Sequence, residues 1–208
     1  MAEEAVLIFG TFNPVTVAHV NMGKAARRAM PGADIVYIPS NGNFLHSWKN
    51  LDERNRISDE DRLRLLKGAV EPWGFQVDTL EVDGTVDGKT YHTVKNYKDR
   101  GKEVVICMGM DKITEFQRWY KGEELLGENR FLICTRDNLH IRDAATELVN
   151  RYLDHFQELP MDEQMQNVSA TQIREAFFDG DLERVREQMP ENVYQYFKEK
   201  ISLTEPGT

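Results

Sequence analysis

Two stretches of the sequence carry residues suited to binding phosphate. The first follows an apolar run and is Gly-Thr-Phe-Asn-Pro-Val-Thr-Val-Ala-His, residues 10–19. Gly10 lets a ligand approach the backbone closely, and Thr16 is a favourable N-cap for a helix whose first turn contains His19. Free N–H groups at a helix start attract anions, and a histidine adds a donor there. The stretch predicts an anion site, although a plain strand–turn–helix with a surface histidine fits it too.

The second stretch lies late in the chain and is Val-Ser-Ala-Thr-Gln-Ile-Arg, residues 168–174. Ser169 followed by Gln172 predicts a capping box at the start of a helix. Arg174 lies one turn into that helix, and its guanidinium could make two hydrogen bonds to one phosphate. A capped helix with a solvated arginine is the alternative interpretation.

The elements that position these stretches are predicted from hydrophobic periodicity. Strands are predicted at Ala5–Phe9, Ile35–Ile38, Phe75–Val82, Val104–Met108, Phe131–Cys134 and near His155–Leu159. Helices are predicted at Thr16–Met30, from Ser58 onward, at Thr93–Arg100, between the fourth and fifth strands, and near residues 143–152, 170–178, 181–188 and 191–200. Residues 40–57 are predicted to form a long loop, and 204–208 a disordered tail.

This alternation predicts an α/β fold, a doubly wound, Rossmann-like parallel sheet with C-terminal helices, in a single domain spanning residues 1–208. Such sheets bind ligands beyond the carboxyl ends of their strands, at the point where the strand order reverses. We therefore expect the chemistry just after Phe9, Pro39, Val82, Met108 and Cys134.

Charge and composition narrow the class of ligand. The chain of 208 residues has 26 Lys and Arg against 35 Asp and Glu, a formal charge of −9. This charge argues against a nucleic-acid partner but allows a small phosphate ligand in a locally positive pocket. Cys107 and Cys134 lie in apolar runs and are predicted to be buried free thiols. The start lacks a basic signal region and no apolar run reaches about 18 residues, so we expect a cytoplasmic protein that makes no membrane contact.

Taken together, the two stretches resemble the nucleotidyltransferase superfamily with a His-x-Gly-His-type signature. Within it, Met-Gly-Met-Asp at 108–111, followed by Trp119 and Glu-Leu-Leu at 124–126, is similar to nicotinate/nicotinamide mononucleotide adenylyltransferases. Further matches are Tyr-His-Thr at 91–93, the helix at 61–66 and Arg136 after a strand. Thr16 and Ala18 depart from the signature, and residues 43–49 lack the Pro-Pro-His-Lys segment of many bacterial members.

The resemblance implies that AMP passes from ATP to nicotinate or nicotinamide mononucleotide and pyrophosphate leaves, without a covalent enzyme intermediate. It implies Thr16, His19 and Arg174 as catalytic residues. The implied ATP site comprises Gly10, Thr11, Phe12, Thr16, His19, Gly109, Asp111, Ser169, Thr171 and Arg174. The implied mononucleotide site comprises Asn13, Lys49, Thr93, Trp119 and Arg136, with Trp119 stacked on the pyridine ring. Mg²⁺ would be bound mainly through the ATP phosphates.

Other interpretations stay open at this point. Pantetheine-phosphate adenylyltransferases also tolerate Thr in the place of Thr16. A nucleotide-binding module without catalytic activity is the second alternative, because Thr16 and the loop at 43–49 depart from the signature. The sequence does not choose between the acid and the amide mononucleotide, does not assign roles to His46, Trp48 and Lys49, and allows a homo-oligomer.

Overall fold

A parallel sheet of six strands forms the centre of the molecule in a computed structural model that describes residues 3–42, 57–135, 139–165 and 167–204. The strands are β1 (Glu3–Gly10), β2 (Asp34–Pro39), β3 (Gln76–Val77), β4 (Lys102–Gly109), β5 (Arg130–Thr135) and β6 (Phe156–Pro160). Their order across the sheet is β3-β2-β1-β4-β5-β6, and every neighbouring pair is parallel. The strand order reverses between β1 and β4, which places the expected ligand cleft beyond their carboxyl ends.

Helices cover both faces of this sheet. They are α1 (Val17–Ala29), α2 (Asp59–Val70), α3 (Thr90–Asp99), α4 (Gly122–Glu128), α5 (Ile141–Ala144), α6 (Glu147–Asn150), α7 (Ala170–Phe178) and α8 (Glu191–Thr204). Successive side chains of a strand point to opposite faces, so β1 supplies Val6 and Ile8 to one core and Ala5 and Leu7 to the other. The first core includes residues of α1, α2, α7 and α8, and the second includes residues of α3 to α6. The predicted doubly wound fold is confirmed.

The predicted third strand, Phe75–Val82, is wrong in length. Only Gln76 and Val77 join the sheet. Apolar and polar residues alternate on either side of Asp78 and Thr79, but these two adjacent polar residues interrupt the alternation. The Asp78 carboxylate accepts the N–H of Leu80 at 3.1 Å, and this local hydrogen bond starts a run of turns. The neighbouring strand β2 also ends at Pro39, which has no N–H for further pairing.

The helix predicted near residues 143–152 is two short helices instead of one. Ala145 is extended (φ −67°, ψ 128°), which ends α5. The Thr146 hydroxyl then caps α6 by accepting the N–H of Val149 at 3.3 Å. The helix predicted at Thr93–Arg100 begins three residues earlier, at Thr90, and residues 183–188 form a 3-10 helix where 181–188 was predicted helical.

Two further expectations concern the core and the membrane. Cys107 and Cys134 are buried and free, as predicted, with their sulfur atoms 4.0 Å apart. Within the described ranges, no helix has the length and apolar character to cross a bilayer. Most of the predicted loop at 40–57 and residues 205–208 of the predicted tail lie outside the described residues.

Candidate active site

The conformation of the loop between β1 and α1 depends on the close packing of Phe12 against Gly10. A Cβ atom at Gly10 would lie 2.8 Å from ring carbons of Phe12, so any larger residue would displace that ring. Phe12 adopts a left-handed conformation with φ 45°, which is rare for a bulky residue. Burial of its ring, 1% exposed, helps to stabilise this backbone. The loop is therefore a fixed structure rather than a variable connection.

Thr16 and His19 form the N-terminal cap of α1. The Thr16 hydroxyl accepts the N–H of His19 at 3.3 Å, and the Thr16 N–H donates to Nδ1 of His19 at 3.0 Å. Because Nδ1 accepts a backbone hydrogen, the neutral imidazole carries its proton on Nε2. The ring also lies edge-on to Phe12, with centroids 5.1 Å apart. His19 thus presents an N–H donor whose tautomer is set by the helix cap.

Tyr37 of β2 forms a hydrogen bond with the backbone of the first turn of α1. Its hydroxyl donates to the backbone oxygen of His19 at 2.8 Å. The side chain is fully buried, and burial raises the pKa of the Tyr37 hydroxyl well above its usual value. Tyr37 therefore stays a neutral donor that holds the backbone of the histidine in place.

The second predicted motif forms the start of α7. The Ser169 hydroxyl accepts the N–H of Gln172 at 3.4 Å, as an N-cap should. The predicted reciprocal half of the capping box is wrong, because the Ser169 N–H donates to Oε1 of Gln188 instead. Gln188 also donates from Nε2 to the side-chain oxygen of Gln172 at 3.1 Å, so the Gln172 side chain turns toward the following 3-10 helix.

Arg174 joins the two motifs. One guanidinium nitrogen, Nη1, donates to the backbone oxygen of Asn13 at 2.7 Å, and Nη2 donates to the hydroxyl of Thr171 at 3.1 Å. Partial burial lowers the pKa of Arg174, although arginine stays protonated in proteins. A partly desolvated cation between two helix N-termini favours binding of an anion. The structure therefore brings the loop after β1 and the start of α7 to one place.

The end of β4 contributes Gly109 and Asp111. A Cβ atom at Gly109 would lie 2.6 Å from Oδ1 of Asp111, so the glycine leaves room for that carboxylate. Asp111 is exposed and pairs with Lys112 at 3.0 Å. Because β4 lies next to β1, both residues are at the edge of the sheet where the strand order reverses.

Trp119 lies on the connection between β4 and β5, after the 3-10 helix Met110–Arg118. It is partly buried, and its ring packs on Phe116 with centroids 4.8 Å apart. The next residue, Tyr120, contacts Tyr91 and His92 at 5.8 and 5.1 Å between centroids. Those two residues are in the first turn of α3, which runs antiparallel to the strand that follows it. Trp119 is therefore held near the carboxyl edge of the sheet.

The structure does not place four of the predicted binding residues on the open edge of the sheet: two have side chains buried against protein partners, and two lie outside the described residues. Thr93 is fully buried and donates its hydroxyl to Glu81 at 2.7 Å, so its side chain is not on the open edge with the others. Asn13 is 2% exposed, and its Oδ1 accepts the N–H of Ile57 at 2.9 Å, so this amide oxygen holds the backbone that leads into α2. Lys49 and Arg136 lie outside the described residues. Their roles in binding a mononucleotide stay predictions.

The sequence analysis assigned no role to two charged residues that the structure buries. Arg62 of α2 is 1% exposed and contacts the loop after β1. Glu81 is 2% exposed, and burial raises its pKa to about 7. A sequence signal existed for Arg62, because it stands three, four and seven residues before the apolar positions of the same helix face. No comparable signal marks Glu81, since it follows the alternating pattern of a strand that does not form.

The described residues contain no cluster of three or more His, Cys, Asp or Glu side chains that could hold a metal ion.

A doubly wound sheet with two capped helix starts meeting at its switch point defines a nucleotide-binding α/β protein. The Cytidylyltransferase-like family model matches residues 7–176, and the chain belongs to that family. The resemblance inferred from the motifs is thereby confirmed.

Similar sequences carry one name. The chain is 24% identical over 162 residues to the probable nicotinate-nucleotide adenylyltransferase of Aquifex aeolicus, covering 76% of this chain and 89% of that protein. It is 22% identical over 198 residues to the protein of the same name from Clostridium botulinum, covering 93% and 94%.

Solved structures share the fold. Plasmodium falciparum nicotinic acid mononucleotide adenylyltransferase superposes in a complex with APC (TM-score 0.73, 15% identity) and in a complex with NaAD (TM-score 0.72, 16% identity). The superpositions cover 97% of this chain, and 96% and 97% of the respective neighbours. At this identity they confirm the Rossmann-like fold.

Proposed function

We propose that this protein is a nicotinate-nucleotide adenylyltransferase. It transfers the AMP moiety of ATP to a pyridine mononucleotide and releases pyrophosphate. The observation that carries the proposal is the hydrogen bond from Arg174 to the backbone oxygen of Asn13, which joins the two motifs predicted to bind phosphate. The names of the similar proteins support the nicotinate form as the preferred acceptor.

The reaction asks little covalent chemistry of the protein. An oxygen of the mononucleotide phosphate attacks the α-phosphorus of ATP, a new phosphorus–oxygen bond forms, and the bond to the β-phosphate oxygen breaks. The electron pair leaves with pyrophosphate. Because the nucleophile is already an anion, the obstacle is the approach of two polyanions, which positioning and charge stabilisation overcome. Mg²⁺ carried by the triphosphate would neutralise part of its charge.

The residues of the site have separable roles in this proposal. Backbone N–H groups of the loop at 10–12 and the start of α1 bind the α-phosphate region. His19 donates from Nε2 to the oxygens that gain charge in the transition state. Ser169, Thr171 and Arg174 hold the β- and γ-phosphates, and Asp111 orients a ribose. Trp119 stacks on the pyridine ring.

The direct test compares acceptors side by side. The purified protein is incubated with Mg-ATP and either nicotinate mononucleotide, nicotinamide mononucleotide or 4′-phosphopantetheine, and pyrophosphate and the adenylylated product are measured. We expect the highest kcat/KM with nicotinate mononucleotide. Faster transfer to phosphopantetheine would assign the protein to another branch of the superfamily. ATP binding without pyrophosphate release on any acceptor would identify a binding module.

A further inference from the structure

Arg62 is a charged residue on the buried face of α2. It lies there together with Leu65, Leu66 and Ala69, and its side chain is inaccessible to solvent. Burying a charged group is costly unless charge and hydrogen bonds compensate it. A hydrophobic residue of similar volume often packs at least as stably as a buried ion pair. Stability alone therefore does not account for a guanidinium here.

The guanidinium links three segments around the predicted phosphate site. Nη1 donates to the backbone oxygen of Thr11. Nη2 donates to the backbone oxygen of Ser40, at the end of β2, at 2.7 Å, and to the carboxylate of Asp59 at 2.9 Å. The planar fork of arginine can satisfy several acceptors in fixed directions, which the single ammonium of lysine cannot do. Arg62 thus fixes the loop after β1 relative to β2 and α2.

These contacts set the direction of the loop's N–H groups. In a trans peptide the carbonyl and the N–H point opposite ways. The Thr11 carbonyl points to Arg62, so the Phe12 N–H points away from it. The Gly10 carbonyl accepts the N–H of Ser40 at 2.9 Å, so the Thr11 N–H points away from Ser40. The N–H groups of Thr11 and Phe12 therefore point away from Ser40 and Arg62, which bind the carbonyls of the same peptide units.

We propose that Arg62 is a positioning residue for phosphate binding: by holding the Thr11 and Ser40 carbonyls, it keeps the backbone N–H groups of the loop after β1 in the orientation that binds the nucleotide phosphates. The inference rests on the proposed function, and Arg62 acts through the loop without contact to substrate. It also stabilises the left-handed backbone of Phe12, since the carbonyl that Arg62 holds belongs to the preceding peptide unit.

The chain offers a matched control on the same helix. Arg64 forms an i,i+3 ion pair with Asp61 at 2.8 Å, as Arg62 does with Asp59, but its side chain is 63% exposed and touches no loop carbonyl in the contacts described. The variants Arg62→Met, Arg62→Lys and Arg64→Met are compared with the full-length wild type. The dissociation constant for Mg-ATP is measured by calorimetry, and kcat and KM are measured at least 15 °C below each variant's unfolding midpoint.

We expect Arg62→Met to bind Mg-ATP at least tenfold more weakly and to lose at least tenfold in kcat/KM. Arg62→Lys recovers one carbonyl contact and should fall between it and wild type, while Arg64→Met should stay within twofold. A folded Arg62→Lys or Arg62→Met protein with wild-type ATP affinity and kcat would overturn the proposal. If Arg62→Met does not fold, Arg62→Lys decides. If the wild type binds Mg-ATP but makes no dinucleotide, the proposed function is refuted. The role of Arg62 is still tested in that case, because the Mg-ATP affinities of the variants can be compared.

Discussion

The two ring nitrogens of His19 have different places in the proposed function. Nδ1 accepts the N–H of Thr16 and closes the cap of α1, which leaves the proton on Nε2. A donor of this kind at a helix start, placed where negative charge develops, lowers the barrier to phosphoryl transfer. The sequence predicted Thr16 as the N-cap and placed His19 in the first turn, but the contact of Nδ1 with the cap and the resulting tautomer follow only from the structure.

Replacing His19 by Ala should lower kcat for dinucleotide formation by about 100-fold or more, in line with the loss of one transition-state donor. Loss of half the capping interaction should cost about 1 kcal/mol of stability and leave the fold intact. Steady-state kinetics at saturating Mg-ATP measures the first effect, and circular dichroism with thermal unfolding measures the second. His155→Ala is the control, because His155 precedes β6 and so lies at the amino ends of the strands, whereas the candidate site lies at their carboxyl ends. Turnover of His19→Ala within a few-fold of wild type would remove the assigned role.

The buried carboxyl group of Glu81 makes the stability of the fold depend on pH. Burial raises its pKa to about 7, whereas an unfolded Glu titrates near 4.5. Between these values the folded protein binds more protons than the unfolded chain, so stability falls as pH rises from about 4.5 to 7. The hydrogen bond from the Thr93 hydroxyl opposes this pKa shift without abolishing it.

Glu81→Gln keeps an acceptor for the Thr93 hydroxyl but cannot ionise. We therefore expect the variant to gain on the order of 2 kcal/mol relative to wild type between pH 5 and pH 8. Urea unfolding at several pH values measures this difference, and Glu60→Gln on the exposed side of α2 is the control. A pH-independent difference between Glu81→Gln and wild type would show that Glu81 keeps its ordinary ionisation in the folded state.

At the scale of elements, the central strands and their helices could be predicted because hydrophobic periodicity and caps are local properties. The start of α2 is one example, since Ser58 and the acidic residues after it mark an N-cap in the sequence. The predicted strand Phe75–Val82 was too long because the hydrogen bond from the Leu80 N–H to the Asp78 carboxylate and the end of β2 at Pro39 decide where pairing stops. Arg62 was missed because burial of a charge depends on carbonyls that belong to distant segments.

The β4–β5 connection holds Trp119 through the contacts of Tyr120 with the start of α3. If Trp119 stacks on the pyridine ring, Trp119→Ala should raise KM for nicotinate mononucleotide at least tenfold, and KM for ATP by less than threefold. Initial rates with each substrate varied in turn give both constants. Trp73→Ala, an exposed tryptophan after α2, should change neither. An equal rise in both constants would make Trp119 a structural residue of the connection.

At the scale of the whole molecule, the charge of −9 and a phosphate site are compatible because the cationic groups are local. Arg174 and two helix N-termini meet at one edge of the sheet. Other basic residues form surface ion pairs, such as Lys102 with Glu3 and Arg130 with Glu4. A small ligand meets only the local field, whereas a polymer meets the field of the whole surface.

This distinction predicts selective stabilisation by ligands. At 100 times its dissociation constant, Mg-ATP should stabilise the folded state by about 2.7 kcal/mol, because it binds only that state. For a domain of this size, that raises the unfolding midpoint by roughly 5–10 °C. Duplex DNA at the same phosphate concentration should give no shift, since the acidic surface repels it. Arg174→Met, which removes the cation between the two motifs, should lose most of the Mg-ATP shift. A shift of equal size with DNA, or an undiminished shift in Arg174→Met, would mean that the phosphates bind elsewhere on the protein.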